Sequence, residues 1–240
     1  MSSKAVLSFL QNLKENNSRP WFHANKPAYR VAKGIVEELA NTFIDGIALF
    51  DKDAEVVTPK ESMFRIFRDV RFSKDKCPYK TNFGCYIAKG GRRSGYAGYY
   101  FHIEPGNSFM GAGLYRPSPP ILKAIRTHID QDSCVIDSIL QHKTLRTTYG
   151  TLEGERLTRV PKGFSKDAKS AELLKLKSYL VLKKITDEAI FEPQGHHQIL
   201  DDYKAAYPFI QYLNQIIAEV IANPFQPLRL SETIQYPSMR

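Results

Sequence analysis

The chain has 240 residues, 42% of them hydrophobic and 25% charged, with 34 Lys and Arg against 25 Asp and Glu for a formal charge of +9. That balance excludes a disordered polar chain and a collagen-like repeat, and no run approaches the roughly 18 uninterrupted apolar residues of a membrane helix. The charge is uneven: residues 60–93 hold 10 basic side chains against Glu61, Asp69 and Asp75, residues 156–184 hold nine against Asp167 and Glu172, and the remainder is mildly acidic. Such asymmetry bears on binding partners and not on fold.

The first 50 residues read as two helices. Val6, Phe9, Leu10 and Leu13 follow the spacing of a packed helical face, and Tyr29, Ala32, Val36, Leu39 and Phe43 repeat it after the break at Ser18-Arg19-Pro20. Asp51 to Pro59 is polar and turn-rich. Strand signals then take over, in Met63–Arg68, Asn82–Ala88, Gly98–Glu104 and Ser108–Tyr115, with turn residues between them. Eight of the 14 glycines fall between Gly84 and Gly113, as hairpin loops and close strands require. No connection among these strands has room for a crossover helix, so the pairing should be antiparallel.

Helical spacing returns after Pro119-Pro120, with Ile121, Leu122, Ile125 and Ile129, then Val135, Ile136, Ile139 and Leu140. Arg156–Ser170 is a basic loop, Ala171–Lys175 a helical turn or two, and Tyr179–Ile185 a further strand. A long final helix carries Ile199, Tyr203, Ala206, Ile210, Leu213, Ile217 and Val220, and Pro208 inside it predicts a kink or a split. Grouped strands flanked by helices predict one α+β domain over 1–240, with an antiparallel sheet of about four to six strands. Its parts would be N-terminal helices over 3–50, a strand-rich core over 62–116, helices, loop and strand over 119–185, and a C-terminal helix over 196–222.

The densest chemistry lies in Arg68–Lys80, RDVRFSKDKCPYK. Extended backbone over Phe64–Phe72 would put Arg65, Phe67, Asp69 and Arg71 on one face. Ser73 to Pro78 must turn, because Ser and Asp favour local hydrogen bonds and Pro removes a donor. Guanidinium forks and ammonium groups gathered in this way suit a phosphate or carboxylate. The expected ligand-binding set is Arg68, Asp69, Arg71, Asp75, Lys76, Tyr79 and Lys80. The competing reading is structural: Asp69 and Asp75 neutralise the arginines and fix the loop.

Together with HIEPGNSFMGAGLYRP and VPKGF, this run resembles an uncharacterised conserved-hypothetical family, domain of unknown function 2461. The likeness spans roughly Phe9 to Tyr212, and Cys77 stands where the family's pattern has threonine. The resemblance implies a single soluble domain and supplies no activity, substrate or catalytic residue.

On the strand Tyr99–Glu104, alternation puts Tyr100, His102 and Glu104 on one face. His102 as general base with Glu104 orienting it is the candidate catalytic pair. A polar outer face of the sheet is the plain alternative. A third metal ligand is not evident, three cysteines without a CxxC make no zinc site, and neither metal nor cofactor is expected. The loop Lys89–Gly95 offers glycine amides and Arg92 and Arg93 to a phosphate, yet joins two strands and reads as a hairpin tip. His196-His197 read as cap or surface residues.

Aromatics interleave with the basic residues: Phe72, Tyr79, Phe83, Tyr86, Tyr96, Tyr99, Tyr100 and Phe101. Single-stranded nucleic-acid platforms use that mixture, but core packing explains aromatics in strands equally well. The N-terminus lacks a secretion signal, which leaves a cytoplasmic location as the expectation. The expected partner is an anionic small molecule or phosphate-bearing ligand, with nucleic acid less favoured and no membrane. An enzyme acting on a phosphorylated substrate and a nucleic-acid or protein interaction module are the alternatives.

Overall fold

The computed structural model describes residues 3–55, 57–166 and 169–222. Its sheet is antiparallel and four-stranded, built from β1 (Phe83–Ala88), β2 (Gly98–Ile103), β3 (Phe109–Leu114) and β4 (Tyr179–Lys184) in that spatial order. With the helices around it the chain is α+β. The chain divides into two compact units. The first takes the described residues of 1–94, 99–111 and 183–204, the second those of 95–98, 112–182 and 205–240.

In the first unit, α1 (Ser3–Glu15) packs on α3 (Lys26–Ala48). Val6, Phe9, Leu10 and Leu13 are buried on α1, as are Val36, Leu39, Phe43 and Ile47 on α3. The Ser18-Arg19-Pro20 break is itself a helix start. Ser18 accepts the Trp21 amide as N-cap of the short α2 (Arg19–Ala24), so the N-terminal region has three helices where two were expected. Proline within the first turn costs nothing, since its missing N–H would be unpaired there anyway. Thr58 and Glu61 form a reciprocal capping box on α4 (Pro59–Ser62).

The expected strand Met63–Arg68 is not one. It makes only isolated bridges, Met63 with Cys85 and Phe67 with Tyr79. Pro78 lacks an amide to extend the ladder, and the aspartates of the following loop divert the backbone into local ties.

In the second unit, α5 (Pro119–Gln131), α6 (Cys134–Gln141), α7 (Lys143–Tyr149) and α8 (Ala171–Leu174) bury Ile125, Ile129, Ile139, Leu145 and Leu174. The sequence carries no clear period over α7, and no helix was expected there. Asn214 holds the Ala97 backbone on both sides, accepting its N–H at 2.8 Å and donating to its carbonyl at 3.2 Å. Gly113 has φ +129, and a Cβ there would lie 2.2 Å from the Tyr179 carbonyl oxygen, so glycine is what lets those backbones meet. The last helix, α9 (Pro193–Ala222), begins three residues before the expected start and continues through Pro208, so of the expected kink or split the split does not occur. Buried Phe209, Ile210, Tyr212 and Leu213 just beyond the proline supply packing that offsets the lost hydrogen bond.

Candidate functional site

Every residue of the expected ligand site lies in the first unit. Residues 66–80 form a hairpin-like excursion. The Arg68 amide donates to Pro78 O at 2.9 Å and the Lys80 amide to Ile66 O at 2.8 Å. Its base is anchored by Tyr79, which is buried and stacked on Phe22 with centroids 4.0 Å apart. The Asn17 side chain pairs with both backbone groups of Tyr79, donating to its carbonyl at 3.0 Å and accepting its N–H at 3.1 Å. Asn17 was invisible as a site residue in the sequence, where it is only the middle residue of the run Asn16-Asn17-Ser18. Tyr79 is thus an anchor of the loop's base.

Above that base the loop is closed by its own charges. Arg68 pairs with Asp75, and Asp75 also accepts the Cys77 amide at 2.9 Å. The Arg68 guanidinium leads the causes that hold the Asp75 carboxyl well below the ordinary range, followed by the Cys77 amide. Asp69 receives Arg71 in a two-pronged contact, Nε at 3.0 Å and Nη2 at 2.7 Å, and this contact holds Asp69 below its ordinary value. Lys76 donates from Nζ to Val70 O at 3.1 Å. The aspartates and arginines of the motif therefore satisfy one another and set the loop's shape.

The remaining cations of the segment differ. Arg65, Lys74, Lys76 and Lys80 have no carboxylate within ion-pair distance among the described residues. Lys80 sits deepest. Its Nζ lies 5.2 Å from the centre of the Phe64 ring, and burial first, then the Arg65 charge, lowers its pKa.

Beside it, β2 presents Tyr100 and His102 on one half-buried face, and Glu104 follows directly after the strand. The Tyr100 hydroxyl meets His102 Nδ1 at 2.9 Å, and His102 Nε2 lies 3.5 Å from Glu104 Oε2. Phe109 stacks on the imidazole at 4.5 Å. Burial lowers the His102 pKa from its ordinary value, and Lys80's charge adds to the effect against the opposing pull of Glu104. For Glu104, burial works upward, but hydrogen bonds from Asn107 and Thr81 and the His102 contact outweigh it and hold the carboxyl low. A neutral imidazole that donates from Nε2 toward a carboxylate accepts the hydrogen bond of the Tyr100 hydroxyl at Nδ1. Tyr100 is held protonated: burial raises its pKa, and Cys85 and Glu104 add to the rise. The face joins Lys80 through Phe64, whose ring meets Tyr100 edge-on at 6.3 Å. Tyr100, Thr81 and Asn107 complete it, and only Tyr100 was legible beforehand, through strand alternation.

Arg92 of the glycine loop is occupied elsewhere. Its Nη1 donates to the Lys60 and Glu61 carbonyls at 2.8 and 2.6 Å, closing the end of α4. Lys89 pairs with Asp53 at 3.1 Å. His196 meets the Ile190 carbonyl at 2.9 Å through Nε2 and packs edge-on against Phe43. Among the described residues no group of three or more His, Cys, Asp or Glu comes together to hold a metal ion, and no helix is long and apolar enough to cross a membrane.

The motif that builds this loop is also the one that places the chain. The family described as Conserved hypothetical protein (DUF2461) matches over residues 5–212. The chain belongs to that family. Its match covers the loop, the β2 face and the sheet, and ends inside α9. Comparison with curated proteins and with solved structures finds no match.

Proposed function

We propose that this DUF2461 protein binds a phosphate-bearing or other anionic ligand at the segment 65–80, with Lys80 and Arg65 at its centre and Lys74 and Lys76 beside them. Arg68, Asp69, Arg71 and Asp75 shape the loop, and Tyr79 anchors it. The observation that carries this reading is Lys80: a half-buried ammonium, close enough to the Arg65 guanidinium to feel its charge, with no carboxylate in reach among the described residues. A partly desolvated like-charge pair is unfavourable, and the Phe64 ring returns only about 0.5–1 kcal/mol. An anion between the two cations relieves both desolvation and repulsion.

An enzymatic reading with His102 as base ranks second. Tyr100 and Glu104 hold both ring nitrogens, so the imidazole would first have to release one of them. The test of the leading reading is a titration of the full chain with inorganic phosphate, followed by calorimetry and thermal unfolding. The midpoint should rise with phosphate as ligand linkage requires, Lys80→Met should abolish the rise, and Arg71→Ala should retain most of it. A wild-type midpoint indifferent to phosphate, or an undiminished rise in Lys80→Met, overturns it.

A further inference from the structure

Phe72 is 95% exposed at the tip of the loop, the most exposed large hydrophobic side chain among the described residues. Two more of the eight such side chains lie within the same nine residues, Phe67 at 48% and Phe64 at 38% exposure. Of the aromatics interleaved with the basic segment, Tyr79, Phe83, Tyr99 and Phe101 are buried in the core. Core packing accounts for those four and leaves Phe72 unexplained. Nor is its exposure that of a slack tip: the Arg68–Asp75 pair, the Asp69–Arg71 contact and the Lys76–Val70 bond brace the backbone on either side.

Two of the three rings lie beside cations. Arg71 Cζ is 5.9 Å from the Phe72 centroid, and Lys80 Nζ is 5.2 Å from that of Phe64. The same segment carries Arg65, Lys74 and Lys76, which make no ion pair with a carboxylate among the described residues. Exposed rings interspersed with cations that make no ion pair are what a polyanion with stackable bases recognises: phosphates meet the charges and a base lies on the ring. A duplex hides its base faces within the stack, so the ring selects single strands. A lipid surface fits less well. One phenylalanine buries far less apolar area than a single acyl chain, which alone gives only marginal membrane binding, and Asp69 and Asp75 flank the tip.

We propose that the phosphate-bearing ligand of this segment is a single-stranded nucleic acid, with Phe72 stacking on a base and Arg65, Lys74, Lys76 and Lys80 contacting the backbone. This rests on the anion-binding reading above and names its ligand class. The test uses fluorescence anisotropy of the full chain with a labelled oligothymidylate and oligouridylate, and a duplex of mixed sequence as the control. Four phosphate contacts predict a log–log salt slope near −3 on single strands. Phe72→Ala should weaken single-strand binding by about 5- to 150-fold, the range that one lost stacking contact spans, whereas Phe72→Tyr should keep it. Because the ring is almost wholly exposed, the alanine variant should unfold at the wild-type midpoint.

Equal affinity of Phe72→Ala and wild type overturns the proposal. So does duplex binding as tight as single-strand binding, and so does Phe72-dependent binding to phosphatidylserine vesicles with none to oligonucleotides. If inorganic phosphate still stabilises the protein through Lys80 while oligonucleotides fail to bind, the ligand class is wrong and the anion site stands. If neither binds, the underlying reading falls with it.

Discussion

At the residue scale, the His102 face depends on an absent side chain. A Cβ at Gly84 would lie 2.5 Å from the Tyr100 hydroxyl, so Gly84→Ala should displace the tyrosine from His102 and cost about 1–3 kcal/mol by overpacking. Denaturant unfolding measures the cost, and the histidine NMR titration reports the lost Tyr100 contact. His102 also predicts a pH dependence. Burial holds its pKa below the ordinary 6.5, so as the pH falls the unfolded chain takes up the proton first. Stability from the neutral imidazole is complete above about 6.5 and is lost as the pH drops from there toward the lower folded value. His196 is depressed in the same direction. Urea midpoints should therefore be lower at pH 5.5 than at 7.5 on this titration, and His102→Gln should flatten the difference without removing the share of His196. A midpoint difference unchanged in His102→Gln would mean that the imidazole is already accessible in the folded state.

At the element scale, the 66–80 excursion is held by a few specific ties and not by a ladder. Asp75→Ala removes the partner of both Arg68 and the Cys77 amide. Amide exchange and proteolysis within 68–77 should accelerate, with little movement of the global midpoint, because local opening draws on few buried contacts. Equal loop protection in the variant would assign the loop's shape to its base at Tyr79 and Asn17 alone. The long helix gives an opposite case. Pro208 lies inside α9, and a helix-interior proline costs up to about 3 kcal/mol. Pro208→Ala should raise the unfolding midpoint, and a lowered midpoint would show that the proline shapes the helix for its packing.

At the scale of the whole molecule, the +9 charge is not a uniform coat. Part of the second basic segment is engaged with neighbouring groups: Lys175 pairs with Glu172 at 2.6 Å, Lys177 with Glu155 at 3.2 Å, and Arg156 donates to the Glu172 and Leu152 carbonyls at 3.1 and 3.4 Å. Anion affinity should thus follow the local cations of 65–80 and not total charge. Neutralising Lys175 and Lys177 together as glutamines should leave phosphate and oligonucleotide affinity within twofold of wild type, whereas the same change in total charge at Lys74 and Lys80 should reduce both severely. Equal losses in the two double variants would return the affinity to long-range attraction by net charge.

The sequence by itself determined the class of the chain, because helical spacing in α1, α3, α5 and α9 and alternation in β1, β2 and β3 are local periods that burial must respect. It also located the motif at Arg68–Lys80 and the shared face of Tyr100, His102 and Glu104, since both follow from short-range spacing. It could not tell that Met63–Arg68 stops short of a strand, because the absence of a ladder depends on where Pro78 and the loop's aspartates fall in the return strand. Nor could it sort the cations. Two readings of Arg68 and Arg71 stood open in the sequence, as binding residues or as structural partners of the aspartates, and the fold pairs them with Asp75 and Asp69, while Lys80 emerged as the ammonium set beside Phe64 and Arg65 with no carboxylate within ion-pair distance among the described residues. Which charges are spent and which remain is a matter of distances of a few ångströms, and only tertiary structure decides those.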